Sequence, residues 1–450
     1  MPSPSATIIQ LLSMFSAAFT APTFKKAVVL ILGTILAPGR RTVTAALRMM
    51  GLGTDPNYSK YHRVLNQAGW SPWVVSRILL KLILTHFVPS GMPMLLLIDE
   101  TLERRRGKQI KYKGWFRDPI QSTAGHVVTT LGLRWICLAV LVPVPWSSRT
   151  WSLPFMTVLA PGEKTSARLN KRHRTLVQWA EYMLDKVRRW QPEREIMLAG
   201  DGSYAAIVLI QRCQRLKKPI KLVSRLRLDA RLFDFPEPPP PGKRGPKPKK
   251  GDRQTKLSQR LADPETQWQE LKLVLYGKQH ELEFISGISL WHTQGEDPVP
   301  LRWVLVRCTE ESFPPSAFFC SDPQVSVKQI ILWACLRWNI EVTFEELRAF
   351  LGFETQRQWS DRAIERTTPC LFGLFSLVTI IAKVLFPNEL PVRHNSWYFK
   401  TEATFSDALA AVRRHLWHHL NYKRSSRDPD LFLIPQAALF ALVDTACYST

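Results

Sequence analysis

The stretch MPMLLLIDE, residues 92–100, is an apolar run that ends in two acidic residues. A short continuous apolar run between polar segments is typical of a strand that is buried on both faces of a sheet. Asp99 is therefore expected at the carboxyl end of a central strand, an edge where α/β proteins place functional groups. A second run of this kind, REIMLAGDGSY (194–204), ends in Asp201.

The segments around these two runs predict the rest of the fold. HVVTTLG (126–132) and RWICLAVLVPV (134–144) are strand-like and closely joined, and residues 166–190 have helical periodicity. Residues 204–217 then predict a helix and residues 219–232 a strand. The order of three strands, helix, strand, helix and strand predicts a mixed α/β layer.

Two regions depart from this pattern. Residues 1–90 predict helices, and 41–51 with 58–70 form either a helix-turn-helix or a plain helical hairpin. Residues 233–270 are rich in proline and basic residues, so they predict an exposed loop. Three strand-like runs follow within 271–308, which suggests a β-rich insertion in the α/β unit.

The charge points to a polyanionic partner. The 450 residues carry a net charge of +24 but are 45% hydrophobic, so the chain is folded and strongly basic. DNA is the expected partner. A membrane is the alternative, but Lys383 interrupts the apolar run 368–386, which predicts a buried core helix instead. The seven cysteines show no CxxC spacing, so neither zinc nor a disulfide framework is expected, and we predict a cytoplasmic protein.

The segment LRWNIEVTFEELRAFLG, residues 336–352, predicts an amphipathic helix. At 100° per residue its buried face would hold Ile340, Phe344, Leu347 and Leu351. Glu341 would lie on the border of that face beside Arg337 and Arg348, while Glu345 and Glu346 would face solvent. Periodicity alone leaves two readings open for Glu341, a surface ion pair or a half-buried metal ligand.

Two strand-end aspartates, a β-rich insertion and a helix of the form RWxIExxFxxxK/R resemble the DDE transposases of bacterial insertion sequences. The third motif is similar to the branch with the signature Tyr-x2-Arg-x3-Glu-x6-Lys, with Arg337, Glu341 and Arg348 at the last three positions. Ala334 stands at the tyrosine position and Arg348 replaces lysine, which changes its hydrogen-bonding geometry. The resemblance runs from about residue 95 to 385.

This resemblance implies an RNase H-like core that binds two Mg²⁺ ions, with Mn²⁺ as a substitute. It implies that Asp99, Asp201 and Glu341 are the catalytic metal ligands; Glu100, Glu103, Asp118 and Glu345 are substitutes if the register differs. Hard cations take oxygen ligands, and two ions roughly 3.5–4 Å apart can promote phosphodiester hydrolysis and strand transfer. The segment GEKT (162–165) is too incomplete for a phosphate loop, so no nucleotide cofactor is expected.

The implied domains are a helical DNA-binding region, a core interrupted by the insertion, and a C-terminal helical region. They span 1–90, 91–232 (first part of the core), 233–314 (loop and insertion), 315–388 (second part) and 389–450. Basic residues near the acids and in the proline-rich loop are expected to bind the DNA of the element ends and the target. These are Arg337, Arg348, Arg104, Arg105, Arg106, Lys108, Lys111, Lys113, Lys243, Arg244 and Lys247.

Because a transposase acts on paired DNA ends, a homodimer is expected. The expected location is the bacterial cytoplasm, in association with the nucleoid. Two other functions fit the same residues. One is an inactive or domesticated DNA-binding protein of the same fold, and the other is a different RNase H-like nuclease such as a junction resolvase. Trp338 and Trp359, which flank the predicted helix at 336–352, are expected to pack in the core.

Overall fold

The computed structural model describes residues 5–118, 120–123, 125–238, 247–275, 277–308, 313–394, 396–397, 399–419, 423–424, 432–436, 439–440 and 442–443. The chain divides into two compact units. Unit 1 comprises Met1–Ser90, Glu100–His173 and Glu341–Thr450, and unit 2 comprises Gly91–Asp99 and Arg174–Ile340. The domain limits expected from the sequence stay predictions.

In chain order, the α-helices are α1 (Ala6–Ser13), α2 (Ala21–Leu36), α3 (Val43–Met49), α4 (Ser59–Asn66), α5 (Pro72–Phe87), α6 (Glu163–Arg168), α7 (Leu176–Trp190), α8 (Ile207–Arg215), α9 (Leu257–Ala262), α10 (Val327–Leu336), α11 (Trp338–Leu351), α12 (Asp361–Leu385) and α13 (Phe405–His419). Two 3₁₀ helices span Met14–Ala18 and Gly202–Tyr204.

The strands are β1 (Met94–Arg104), β2 (Gly114–Arg117), β3 (Thr129–Val144), β4 (Ser147–Leu159), β5 (Ile196–Gly200), β6 (Ile220–Leu226), β7 (Leu232–Phe233), β8 (Gln269–Leu275), β9 (Lys278–Trp291), β10 (Val299–Cys308), β11 (Ser316–Cys320), β12 (Lys423–Arg424) and β13 (Phe432–Leu433). The boundary between the units crosses β1 after Asp99 and α11 after Ile340.

Unit 1 contains a β-meander with helices packed against it. β3 lies beside the second half of β1, and β2 and β4 pair with β3 in antiparallel fashion. The side chains of β3 from Leu133 to Val142 are almost all buried, since α12 and α5 contact this part of the sheet. Two sequence predictions are corrected here. Residues 126–132 and 134–144 are not two strands, because Thr129–Val144 is one continuous strand, and the third strand is β4.

Helix α12 is the central helix of unit 1. It is long and apolar enough to cross a membrane, but 67% of its most apolar window is buried within the protein. Ser376 donates a hydrogen bond to the carbonyl oxygen of Pro154 on β4 at 2.6 Å, and Phe375 stacks on Phe405 of α13 with ring centroids 3.9 Å apart. The predicted buried core helix is therefore confirmed, although it begins at Asp361.

Unit 2 contains a parallel strand arrangement that continues into antiparallel strands. β1 pairs with β5 and β5 with β6, both in parallel, and α8 connects β5 to β6. β11, β10 and β9 then follow β6 as antiparallel neighbours, and β7 and β8 pair with β9. The strands predicted within 271–308 thus extend the same sheet. The mixed α/β class with flanking helices is confirmed.

The helix predicted at 336–352 is in fact preceded by another helix. α10 ends at Leu336, Arg337 is a turn residue, and α11 begins at Trp338. The backbone N–H of Ile340 donates to the carbonyl oxygen of Arg337 at 3.1 Å, a bond of the short i to i+3 type. Arg337 therefore lies at a junction between two helices rather than within one.

Candidate metal centre

Asp99 and Asp201 occupy equivalent places on neighbouring parallel strands. In the register of β1 and β5, Ile98 pairs with Gly200, and the residue that follows each of these two in the sequence is an aspartate. The apolar residues before them fix this register, because Leu96, Ile98 and Leu198 are fully buried. The two aspartates therefore lie where the parallel pairing of β1 with β5 ends. Asp201 directly follows β5, but Asp99 lies within β1, which continues to Arg104 beside β3, so the prediction that Asp99 ends its strand was wrong.

A third acid belongs to the same group. One carboxylate oxygen each from Asp99, Glu100 and Asp201 lies within 4.8 Å of the other two. Asp99 is 8% exposed, and Glu100 and Asp201 are half-buried. Carboxylates this close repel one another, and a hard divalent cation with oxygen ligands would relieve that repulsion. The donor set therefore fits Mg²⁺ or Mn²⁺.

Neighbouring groups hold each aspartate in place. Arg337 donates to Oδ2 of Asp99 at 2.7 Å. Oδ1 of Asp201 accepts from the backbone N–H of Ser203 at 3.0 Å, and its Oδ2 accepts from the Ser203 hydroxyl at 3.2 Å. The Ser224 hydroxyl on β6 donates to the carbonyl oxygen of Asp201 at 2.6 Å. These contacts fix both the backbone and the carboxylate of Asp201.

The contribution of Ser203 could have been found in the sequence. An aspartate followed two residues later by serine is typical of an aspartate that caps a short turn with its own side chain. In GDGSY, Asp201 caps the 3₁₀ helix Gly202–Tyr204 in this way. Ser224 could not have been found, since it reaches Asp201 only through the pairing of β5 with β6.

Glu341 lies in the first turn of α11 and is half-buried. The buried face predicted for this helix is present, since Ile340, Phe344, Leu347 and Leu351 are all at most 5% exposed. Among the residues that the structure describes, the close carboxylate group consists of Asp99, Glu100 and Asp201 and does not include Glu341. The role of Glu341 as third ligand stays a prediction.

Glu345 and Glu346 differ, although both were expected in solvent. Glu345 is exposed, whereas Glu346 is half-buried. Burial raises the pKa of Glu346 to about 7, against the opposing effects of a hydrogen bond from the backbone of Phe405 and the charges of Arg149 and Lys400. The expectation for Glu346 was wrong because the backbone of Phe405, at the start of α13, lies against this side chain, which helical periodicity cannot show.

Arg348 has partners within unit 1. Its guanidinium donates to the Thr101 hydroxyl at 2.7 Å, to the Leu102 carbonyl oxygen at 3.3 Å and to Glu354 at 3.1 Å. It also lies over the ring of Phe353. Arg348 therefore ties α11 to the second half of β1.

The basic segment 103–117 contains two kinds of cation. Arg104 pairs with Asp118 at 2.8 Å and with Glu354 at 3.1 Å, and Arg105, 8% exposed, pairs with Glu103 at 2.7 Å. These two side chains stabilise unit 1. The others face solvent fully or in part: Arg106, Lys108, Lys111, Lys113 and Arg117. Asp118 directly follows β2 and lies near the end of β1, where it pairs with Arg104. The sequence did not reveal this contact.

The proline-rich loop lies partly outside the described residues. This applies to Lys243 and Arg244, whereas Lys247 is described and exposed. Four tryptophans of the described residues are also exposed: Trp397 at 83%, Trp115 at 72%, Trp359 at 59% and Trp338 at 47%. The expectation that Trp338 and Trp359 pack in the core was wrong, since both lie at helix or loop edges that leave the indole in solvent.

Comparison with known proteins bears on this geometry. Residues 14–307 match the family described as "DDE superfamily endonuclease". No curated protein matches the chain. Among solved structures, the chain is similar to a piggyBac transposase in a synaptic complex with hairpin DNA, with 10% sequence identity, a TM-score of 0.41, and coverage of 98% of this chain and 82% of that one.

Proposed function

The chain belongs to the DDE superfamily endonuclease family, and on that premise we propose that it is a DNA transposase that cleaves element ends and joins them to target DNA. The observation that carries the proposal is the carboxylate group of Asp99, Glu100 and Asp201, which lies where the parallel pairing of β1 with β5 ends. An RNase H-like core with a mixed sheet is the fold of this family, and the strand order agrees with it.

In this proposal Asp99 and Asp201 hold divalent metal ions, Mg²⁺ in the cell with Mn²⁺ as a substitute. Bound there, such ions would activate the attacking water or 3′-hydroxyl and stabilise the leaving oxygen. Hydrogen-bond donors keep the two carboxylates oriented. Ser203 donates to both carboxylate oxygens of Asp201, and Arg337 donates to one oxygen of Asp99. Arg337 also offers a charge to a phosphate close to the metal ligands.

Two acidic residues are candidates for the third metal ligand. Glu341 follows from the resemblance of the third motif, and Glu100 follows from its membership of the close carboxylate group. We propose Glu341 as the third catalytic metal ligand and Glu100 as an additional ligand. The two assignments predict different effects of single substitutions at Glu341 and Glu100.

The exposed cations supply the DNA contacts in this proposal. Arg106, Lys108, Lys111, Lys113 and Lys247 are solvent-accessible and can each neutralise a phosphate. Arg104, Arg105 and Arg348 are held by side chains of their own unit, so they would position the DNA-binding segment rather than contact the DNA. The net charge of +24 predicts affinity that falls steeply as salt rises.

The biological setting belongs to the same proposal. We place the protein with the transposases of bacterial insertion sequences, acting as a homodimer on paired ends in the cytoplasm, at the nucleoid. Short inverted repeats around the gene would support this placement, and sequence-independent cleavage of branched DNA would indicate a resolvase instead.

The test is metal-dependent nicking of the element's own ends. We expect Asp99→Asn and Asp201→Asn to lose more than about 100-fold in rate, since losing even a partner that orients a metal ligand typically costs 10–100-fold. Glu341→Gln should fall as far and Glu100→Gln by less, while Glu345→Gln, a change at an exposed acid of the same helix, should keep full activity.

The outcomes are distinct. Full activity of Asp201→Asn would refute the metal centre, and full activity of Glu341→Gln with an inactive Glu100→Gln would transfer the third ligand to Glu100. Salt-dependent DNA binding without any nicking by the wild-type protein would identify an inactive DNA-binding protein.

A further inference from the structure

Unit 1 contains a cavity that is separate from the carboxylate group. Its volume is about 170 Å³, and its wall is formed by α2, α4, α5, α12 and the segment around the first 3₁₀ helix. Aromatic side chains from several of these elements line it: Phe15, Phe19, Phe24, Trp70 and Phe155. A dry apolar cavity of about 150 Å³ is enough to bind a ring the size of benzene. The space therefore suits a small apolar body.

The same wall carries positive charge. Arg41 and Arg366 line the cavity and are 5% and 6% exposed, and no Asp or Glu is among the described residues of the wall. The guanidinium of Arg41 donates to the carbonyl oxygens of Gly39 and Phe350 at 2.5 and 2.6 Å. Arg366 donates to the carbonyl oxygens of Leu65 and Trp70 at 3.1 and 2.6 Å. Carbonyl oxygens satisfy hydrogen bonds but do not compensate a net charge, and the charge that acts on Arg41 is the like charge of Arg413.

Arg41 has a further donor available. Within the described part of the chain, its Nε is buried and has no hydrogen-bond partner. Burial and, to a lesser extent, the neighbouring charge of Arg413 together lower the pKa of the Arg41 guanidinium to about 9, so the group remains charged at neutral pH. A buried cation beside another cation, with one donor unused, is a strong electrostatic attractor for an anion.

The cavity also has access to solvent. Cys370 of α12 lines it and is exposed, although the surrounding protein raises the pKa of its thiol to about 11. This combination describes a recessed thiol that small molecules can reach. It provides a chemical reporter for occupancy, because a ligand in the cavity would cover it.

We propose that this cavity binds a small amphipathic carboxylate, with its apolar body among the aromatic side chains and its carboxylate against Arg41. The apolar wall would bind the apolar part of the ligand, and the Arg41 guanidinium would bind its carboxylate. Neither DNA nor a metal ion is required for this binding, so it can be tested independently of the nuclease activity.

The experiment compares octanoate with 1-octanol, which has the same chain length without the charge. Binding is measured by the rise in Tm of the full-length protein and by protection of Cys370 from N-ethylmaleimide, located by peptide mass spectrometry. We expect octanoate to bind about tenfold more tightly than octanol, since a charge-assisted hydrogen bond is about twice as strong as a neutral one. Acetate, which has the charge without the chain, should give no protection.

Substitutions test which arginine binds the carboxylate of octanoate. Arg41→Gln should reduce octanoate binding to the level of octanol and leave octanol binding unchanged, a pattern that general destabilisation would not produce. Arg366→Gln is the second variant, and it carries the test if Arg41→Gln does not fold. Leu30→Trp, which fills the cavity, should abolish binding of both compounds.

Arg188→Gln is the matched control. Arg188 is equally buried at 5%, donates to backbone carbonyl oxygens and has a buried Nε without a partner, but it lies in unit 2 away from the cavity. This variant should keep the preference for octanoate. Equal binding of octanoate and octanol by the wild type would overturn the proposal, as would the absence of any Tm change or Cys370 protection.

Discussion

Replacing Arg337 with glutamine should make the stability of unit 2 depend on divalent metal. Arg337 forms an ion pair with Asp99, one of the three clustered carboxylates, and the N···O distance is 2.7 Å. The two side chains are only 20% and 11% exposed, so water screens the pair weakly. Without this cation, Asp99 would face Glu100 and Asp201 with their repulsion less compensated.

The magnitude follows from the geometry. Two unit charges about 4 Å apart attract by about 4 kcal/mol at an effective dielectric constant of about 20. Desolvation and the ordering of two side chains offset part of this gain, which leaves about 2 kcal/mol for the pair. A loss of that size lowers the Tm of a unit of roughly 150–250 residues by about 4–8 °C.

The assay is thermal unfolding in EDTA and in saturating Mg²⁺. The full loss in Tm is expected in EDTA, and less than half of it in Mg²⁺, because the metal then supplies the missing positive charge. Arg212→Gln is the control, since Arg212 pairs with Asp185 at 2.6 Å in the same unit but away from the acids. Equal rescue of both variants by Mg²⁺, or no loss for Arg337→Gln in EDTA, would refute this reasoning.

Three further predictions concern unit 1. Glu103→Ala should cost about 3–5 kcal/mol by chemical denaturation, because it leaves Arg105 buried without its partner. Glu103→Leu combined with Arg105→Leu should recover only part of that loss, since the buried Trp135 and Thr368 donors still lose their acceptor. Glu346 has a pKa raised from 4.5 to about 7 in the folded state, so stability should fall by about 3 kcal/mol as pH rises from about 4.5 to 7 and then level off; Glu346→Gln should remove this dependence. Gly352→Ala should cost about 1–3 kcal/mol, since φ is +63° and the added Cβ would lie 2.9 Å from Cγ of Arg41; unchanged stability in this variant would contradict the strained geometry.

The apolar runs that end at Asp99 and Asp201 could be predicted because a strand buried on both faces needs a continuous hydrophobic segment. The same holds for the buried face of α11, where four apolar residues recur with helical periodicity. The break at Arg337 could not be predicted, because both α10 and α11 have acceptable helical sequences and only the hydrogen-bonding pattern separates them. The sequence divided β3 into two closely joined strand-like runs, 126–132 and 134–144, whereas backbone pairing continues from Thr129 to Val144.

The sequence by itself determined the fold class, the two apolar runs that lead to Asp99 and Asp201, and the strongly basic character. These depend on local patterning and composition, which each segment carries without reference to the others. Only the tertiary structure decided which charges are available. It paired Arg104 with Asp118 and Arg105 with Glu103, covered Glu346, exposed Trp338 and brought Glu100 into the acidic group. The physical reason is that the role of a charged side chain depends on which groups lie within a few ångströms of it, and strand pairing and helix packing bring those groups from distant parts of the chain.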